Sequence, residues 1–163
     1  MNPIDDAAAC ALALEQARIG MAAGNDPVGA VLVRDGIVIG SGHNRFLAGG
    51  DPTSHAEIEA YRDAAFALAR SLPIHAVENA LAGCDVFTTA LPCAMCAGAI
   101  VRWQARRVIV SEAETYSPAR TQAYLEDHGI AVVLHRDAAV IALVEAWLAD
   151  HPERLPAYGR RPA

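Results

Sequence analysis

The sequence predicts a single α/β domain built on a five-stranded mixed sheet with helices on both faces. The chain has 163 residues, which is the size of one ordinary domain. Hydrophobic residues make up 53% of the chain, enough to bury one core. Segments whose apolar residues have helical spacing alternate with short β-branched runs, in the order α-β-β-α-β-α-β-α-β-α. Such alternation is typical of a sheet enclosed between two layers of helices.

The chain begins with a predicted helix and a β-hairpin. Apolar residues recur with helical spacing over residues 3–24. The runs 28–33 and 37–39 are rich in β-branched residues, which favour strands. Between them, the dipeptide Asp35-Gly36 is typical of a tight two-residue turn.

The middle of the chain predicts a helix, a strand and another helix. After a loop, we expect Thr53 or Ser54 to cap a helix that ends near residue 71. A segment without a clear pattern separates it from a buried strand over residues 84–89. Pro92 suits the first position of a helix over residues 93–104.

The last third predicts two strands and two helices. Residues 107–110 and 130–134 are strands, and a helix between Ser117 and Gly129 connects them. Because a helix links the two strands, they should pair in parallel through a right-handed crossover. A final helix over residues 137–149 precedes a proline-containing tail.

The charge pattern excludes two kinds of chemistry. All 13 basic residues are arginines, and 19 acidic residues give a net charge of −6. Without lysine, the chain has neither the amine of a Schiff base nor the lysine of a Walker phosphate loop. Basic residues cluster only at 106–107 and 160–161, which argues against a nucleic-acid partner.

The N-terminal sequence and the cysteines indicate a cytoplasmic protein with reduced thiols. The first residues lack a basic segment followed by an apolar run, and no stretch has the roughly 18 apolar residues of a membrane span. A cytoplasmic chain with an adequate core neither needs nor easily keeps disulfides. The four cysteines are therefore expected to be thiols or metal ligands.

Three side chains at predicted helix starts form a candidate metal site. His55 lies at the start of one helix, and Cys93 and Cys96 lie at the start of another. The spacing of three puts both thiols on one helix face, and the helix dipole favours their thiolate forms. Three protein ligands leave a tetrahedral zinc ion one open position, as in catalytic sites. Glu57, two residues after His55, is a candidate proton carrier beside that position.

Two other interpretations of these residues stay open at this point. A Cys-x-x-Cys pair that opens a helix is also the arrangement of thioredoxin-like redox proteins. A structural zinc site would need a fourth ligand, such as Cys84 or His43. Glu57 favours the catalytic interpretation, because a structural site has no use for a carboxylate beside the metal.

The combined pattern of His55-Ala56-Glu57 and Pro92-Cys93-x-x-Cys96 resembles the signature of the zinc deaminases. At these positions, and in its predicted order of elements, the chain is similar to the cytidine deaminase superfamily. The resemblance implies a three-layer αβα sandwich and hydrolytic deamination that releases ammonia. It also implies a zinc ion held by His55, Cys93 and Cys96, with Glu57 as the proton carrier and no organic cofactor.

Within this superfamily, the parallel fifth strand is typical of the branch that holds cytosine, guanine and tRNA adenosine deaminases. The chain resembles the yeast-type cytosine deaminases in three further segments, which are Gly42-His43-Asn44, Phe87-Thr88-Thr89 and Tyr124-Leu125…His128-Gly129. The resemblance implies five substrate contacts, made by Val28, Asn44, Ala56, Tyr116 and Leu155. It further implies that residues 1–150 form the catalytic domain and residues 151–163 a tail that closes over the site.

The tail departs from the pattern of that family, which ends with an aromatic pair and a carboxylate that binds the pyrimidine. This chain offers Leu155, Ala157 and Tyr158 instead. Cytosine is the first expected substrate, and isocytosine, guanine or a triazine such as ammeline are alternatives. A tRNA adenosine deaminase is a further alternative, which the acidity and the lack of lysine disfavour. The resemblance also implies a homodimer.

Overall fold

The computed structural model describes residues 3–118 and 120–158, which form one five-stranded mixed sheet between helices. The strands are β1 (Gly29–Arg34), β2 (Ile37–His43), β3 (Asp85–Ala90), β4 (Arg107–Glu112) and β5 (Ala131–Leu134). Their order across the sheet is β2-β1-β3-β4-β5. The predicted fold class is confirmed.

The helices of the described residues lie between and beside these strands. They are α1 (Asp6–Ala22), α2 (Phe46–Gly49), α3 (Ala56–Leu68), α4 (Ile74–Leu81), α5 (Ala94–Arg102), α6 (Thr121–Asp127), α7 (Ala138–Asp150) and a final 3-10 helix (Pro152–Tyr158). Two aspartates act as N-caps, since Asp5 accepts a hydrogen bond from the backbone of Ala8, and Asp137 from the backbone of Ala139.

The strand pairing divides the sheet into an antiparallel half and a parallel half. β1 pairs antiparallel with β2 and β3, and β4 pairs parallel with β3 and β5. The predicted parallel pairing of β4 and β5 is therefore confirmed. At the β1–β2 turn, Asp35 and Gly36 both have positive φ, 51° and 75°, as the expected turn type requires. Because β3 and β4 run the same way, their C-terminal ends lie at one edge of the sheet.

Alternate residues of the central strands face two separate cores. Leu32 and Val86 belong to the larger core, which also contains side chains of α3, α4 and α5. Val31 and Phe87 point to the opposite face and pack against Ala13 of α1. A third cluster joins α7 to α1 and to the 3-10 helix. Because alternate residues of each strand point to opposite faces, the sheet packs against helices on both sides and forms the middle of three layers.

Two predicted helix starts are wrong by a few residues. α3 does not begin at a Thr53 or Ser54 cap, because the Asp51 side chain holds both residues in a preceding turn. Its carboxylate accepts hydrogen bonds from the Thr53 backbone at 2.8 Å and from the Ser54 hydroxyl at 3.1 Å. His55 then takes the N-cap position with an extended backbone, φ −79° and ψ 157°. α5 likewise begins after an extended Cys93, one residue beyond Pro92.

The fourth predicted helix also starts later than expected. Arg120 adopts a left-handed conformation with φ 70°, so α6 begins at Thr121 and not at residues 117–118. The other end of α6 agrees with expectation, because Gly129 has a positive φ of 77° just beyond the helix. The short helices α2 and α4 and the 3-10 helix were not predicted. None of the helices in the described part of the chain is long and apolar enough to cross a membrane.

Candidate metal centre

The structure brings His55, Cys93 and Cys96 together at the starts of α3 and α5. The Cys93 Sγ atom lies 3.6 Å from His55 Nδ1 and 3.6 Å from Cys96 Sγ. All three ligand atoms lie within 4.8 Å of one another, and within the described ranges this is the one such cluster of metal-ligating side chains. His55 and Cys93 meet here although they are 38 positions apart in the chain.

The donor set fits a zinc ion. Two sulfurs and one imidazole nitrogen are ligands that zinc prefers. Two sulfurs bound about 2.3 Å from one tetrahedral ion would lie about 3.8 Å apart. The observed separation of 3.6 Å between the two sulfurs is close to that value. Cys84 and His43, considered as a fourth ligand, lie elsewhere, against the Tyr61 hydroxyl and the Gln16 side chain.

The electrostatics of the cluster favour a thiolate at Cys93. The hydrogen bond between the two thiols lowers the pKa of Cys93 to about 4, against the effect of burial, and His55 contributes further. The same hydrogen bond and burial raise the pKa of Cys96. The hydrogen bond to Cys93 raises the pKa of His55, although burial opposes it. Cys93 is therefore the thiol of the cluster that ionises first.

Two glycines of β2 allow α3 to lie directly on the sheet and so fix the position of His55. A Cβ atom at Gly42 would lie only 2.4 Å from the backbone nitrogen of Ala60, and one at Gly40 would lie 2.4 Å from the Ala60 carbonyl oxygen. Distances below 3.0 Å are essentially never seen for a real Cβ. The close approach of strand and helix therefore depends on residues without side chains.

Glu57 is buried beside the cluster, on the first turn of α3. Its side chain is 3% exposed. The Thr88 hydroxyl lies 3.4 Å from Glu57 Oε1 and 3.1 Å from the Ala90 carbonyl oxygen, within hydrogen-bond distance of both. Burial raises the pKa of the Glu57 carboxyl. A carboxyl group in this setting holds a proton more readily than an exposed one and can pass it to a neighbouring atom.

A cavity of about 250 Å³ opens onto the metal cluster and Glu57. Four of the five expected substrate contacts line it, namely Val28, Asn44, Ala56 and Tyr116. Asn44 is 5% exposed, and its side-chain oxygen accepts a hydrogen bond from the Phe46 backbone at 2.9 Å. The amide nitrogen of Asn44 is therefore left to donate into the cavity.

Leu155, the fifth expected contact, points elsewhere. It packs against the α7 cluster of Val140, Val144, Trp147 and Leu148, while Arg154, Ala157 and Tyr158 of the same segment line the cavity. The period of three of the 3-10 helix puts residues 154 and 157 on the face toward the cavity and residues 155 and 158 on the face toward α7. Tyr158 contacts both the α7 cluster and the cavity. The expectation for Leu155 is corrected accordingly.

The sequence reasoning missed several residues of the cavity wall. Asp26, Phe46, Arg154 and Tyr158 all line it. The Tyr158 ring packs edge to face on Tyr116, with ring centroids 5.6 Å apart. The sequence shows an acidic residue directly before Pro27, and the structure buries this Asp26 to 7% exposure. Arg154 and Tyr158 were expected only as part of the tail that closes over the site, with no substrate contact assigned to them.

The comparisons with known proteins agree with this geometry. A family model described as the cytidine and deoxycytidylate deaminase zinc-binding region matches residues 3–112. The chain is 28% identical to a cytosine deaminase of Candida albicans over 150 residues, 91% of this chain and 93% of that one. It is 36% identical to a tRNA-specific adenosine deaminase of Aquifex aeolicus over 100 residues, 61% of each chain. The solved guanine deaminase of Nitrosomonas europaea matches with a TM-score of 0.72 and 27% identity, over 90% of this chain and 86% of that one.

Proposed function

Because the chain belongs to the cytidine and deoxycytidylate deaminase family, we propose that it hydrolytically deaminates a free nucleobase or a related small heterocycle. Cytosine is the first candidate, and isocytosine, guanine and ammeline are the alternatives. The supporting observation is the cavity itself, in which the metal cluster, the buried Glu57 and part of the C-terminal tail meet. Each turnover would form a carbon–oxygen bond from water, break the carbon–nitrogen bond and release ammonia.

His55, Cys93 and Cys96 would hold the zinc ion of this site. When bound, zinc would supply Lewis-acid activation of a water molecule, lowering the pKa of that water toward about 7. The three protein ligands come from two helix starts that the sheet holds in place. Two of them, His55 and Cys93, line the cavity, and a ligand set open to a cavity suits a catalytic and not a structural metal.

Glu57 would move the protons of the reaction. Its carboxylate takes a proton from the water and delivers it to the ring nitrogen, and a second transfer converts the amino group into ammonia. Burial favours the protonated carboxyl between these transfers. The Thr88 hydroxyl, 3.4 Å from Oε1, orients the carboxyl group. Burial of a glutamate carboxyl is costly, which is consistent with a role in the reaction.

The other cavity residues would hold the ring. The amide nitrogen of Asn44 and the backbone N–H of Ala56, at the free N-terminus of α3, offer donors to the ring edge. Val28 and Tyr116 contribute apolar walls for its faces. Residues 152–158 of the tail cover the cavity and act as its lid, while residues 159–163 lie outside the described part.

The side chains of the tail that line the cavity support a free base over a polynucleotide. The cavity volume of about 250 Å³ lies just below the range of about 300–1,000 Å³ that is typical of pockets for drug-sized ligands. Arg154, Ala157 and Tyr158 narrow the entrance from the side of the tail. The similarity to tRNA-specific adenosine deaminases nevertheless makes tRNA the second candidate substrate. A homodimer and a cytoplasmic location stay predictions.

Ammonia release tests this proposal. The zinc-loaded protein is incubated with cytosine, isocytosine, guanine, ammeline and cytidine, and separately with a tRNA anticodon arm that carries adenosine. Release from one of the free bases is expected. Release from the anticodon arm alone would replace the proposed substrate class by tRNA, and release from no compound would contradict the proposed function.

A further inference from the structure

An ion pair between Asp26 and Arg154 forms part of the wall of the candidate active-site cavity. Arg154 Nε lies 3.1 Å from Asp26 Oδ1, and Nη2 lies 2.7 Å from Oδ2. The side chains are only 19% and 10% exposed. Both residues line the cavity that also contains His55 and Glu57. The pair therefore puts two complementary charges beside the proposed reaction site.

The pair leaves hydrogen-bonding groups unused on both sides. Arg154 spends one edge of its guanidinium, Nε and Nη2, on Asp26, and its Nη1 has no hydrogen-bond partner within residues 3–118 and 120–158. A carboxylate accepts about four hydrogen bonds, and Arg154 donates only two to that of Asp26. The Phe46 ring lies 5.8 Å from the guanidinium carbon and limits where Arg154 can move. A free donor and a free acceptor are thus held next to each other.

We propose that Asp26 and Arg154 determine substrate specificity by binding the lactam edge of the ring, an N–H group beside a carbonyl. Asp26 accepts the hydrogen bond from the ring N–H, and Arg154 Nη1 donates one to the carbonyl oxygen. This inference rests on the proposed function and narrows its substrate class. Cytosine, isocytosine and guanine each have such an edge, whereas the base of adenosine does not.

Attachment of the tail does not by itself explain the ion pair between Asp26 and Arg154. A buried ion pair is often no more stabilising than well-packed apolar residues of similar size. The same tail segment already has apolar anchors, because Leu155 and Tyr158 pack on the α7 cluster. Asp26 and Arg154 both line the cavity, where their charges can contact a ligand. Their position favours recognition of substrate over attachment of the tail.

Matched pairs of substrates test this inference. Whichever base the protein deaminates is compared with its analogue that lacks the carbonyl: 4-aminopyrimidine for cytosine, 2-aminopyrimidine for isocytosine, or 2-aminopurine for guanine. The wild type should prefer the lactam by at least about 100-fold in kcat/KM, because buried polar groups reject a ligand that leaves them unpaired. In Asp26→Asn and Arg154→Gln this preference should fall below about tenfold, mainly through loss on the lactam.

Asp6→Asn is the control, since it breaks an exposed ion pair with Arg107 far from the cavity and should keep the preference. An equal loss on both substrates in Asp26→Asn and Arg154→Gln would show that the pair only fixes the tail, and unchanged selectivity would also overturn the inference. Calorimetric binding of each base and its analogue gives the same comparison without turnover. If no base releases ammonia, the proposed function is contradicted. If the wild type and the variants bind the lactams with equal selectivity, only this inference is contradicted.

Discussion

The close contact between β2 and α3 predicts a large effect from the addition of a single methyl group. In Gly42→Ala the new Cβ would lie 2.4 Å from the Ala60 nitrogen and 2.6 Å from the Ala56 oxygen. Ordinary contacts begin at 3.4 Å, so α3 and β2 must separate by roughly 1 Å. Both atoms are backbone atoms of α3, and no side chain can turn aside to make room. The helix as a whole has to move.

This displacement should affect stability and activity together. Overpacking of a well-packed core costs about 1–3 kcal/mol, which lowers the melting temperature by about 2–10 °C in a domain of this size. α3 begins with the residues that follow His55, and Glu57 lies on its first turn. A misplacement of about 1 Å at such groups reduces catalysis by about 100-fold. Circular dichroism melting and ammonia release measure the two effects.

Gly98→Ala is the matched control, because it adds the same methyl group to α5. A Cβ at Gly98 would meet no atom within 4 Å beyond its own helix. Alanine in a helix interior is favoured over glycine by about 0.5–1 kcal/mol, so this variant should melt slightly higher and keep its activity. A Gly42→Ala protein that melts and turns over like the wild type would refute the reasoning that the glycine sets the position of α3.

Two further outcomes follow from buried groups. Asp85 is 6% exposed in its side chain, and although burial raises its pKa, hydrogen bonds from Arg106 and Arg107 hold it below the usual 3.8. Asp85→Asn should therefore lower the free energy of unfolding by about 1.5–3 kcal/mol at neutral pH. The difference in unfolding free energy from wild type, measured by urea unfolding, should persist down to about pH 4 and vanish as the pH falls through the lowered pKa of Asp85. A difference that does not change with pH would contradict this prediction. After dialysis, the wild type should retain its zinc and Cys96→Ser should lose it, as measured by elemental analysis. Cys84→Ser is the control, because it changes an equally buried thiol outside the cluster and should retain zinc. Loss of zinc in both variants would refute the assignment.

Local chemistry explains why parts of this molecule could be predicted from sequence. The turn at Asp35 and Gly36 and the left-handed Gly129 depend on the conformations those residues allow, whatever surrounds them. The two thiols of Cys93 and Cys96 share a helix face by spacing alone. His55 could be assigned to the same site only because the two motifs occur together. In the other cases the signal lies within a few residues of the chain.

Features that depend on tertiary contacts could not be predicted in this way. Asp26 and Arg154 are 128 positions apart, and neither has a local pattern that indicates the other. Leu155 was assigned to the cavity by resemblance, from its place in the tail, whereas the 3-10 helix turns its side chain to α7. The start of α3 was misplaced because the Asp51 carboxylate competes for the turn before His55.

The measurement that tests the central claim most directly compares zinc content and ammonia release in wild type and Glu57→Gln. Glu57 lines the cavity and is not one of the three clustered ligands, so its replacement should leave about one zinc ion per chain. The neutral amide cannot carry a proton, and release of ammonia should fall by at least about 100-fold. A Glu57→Gln protein that holds zinc and still releases ammonia at the wild-type rate would contradict the account.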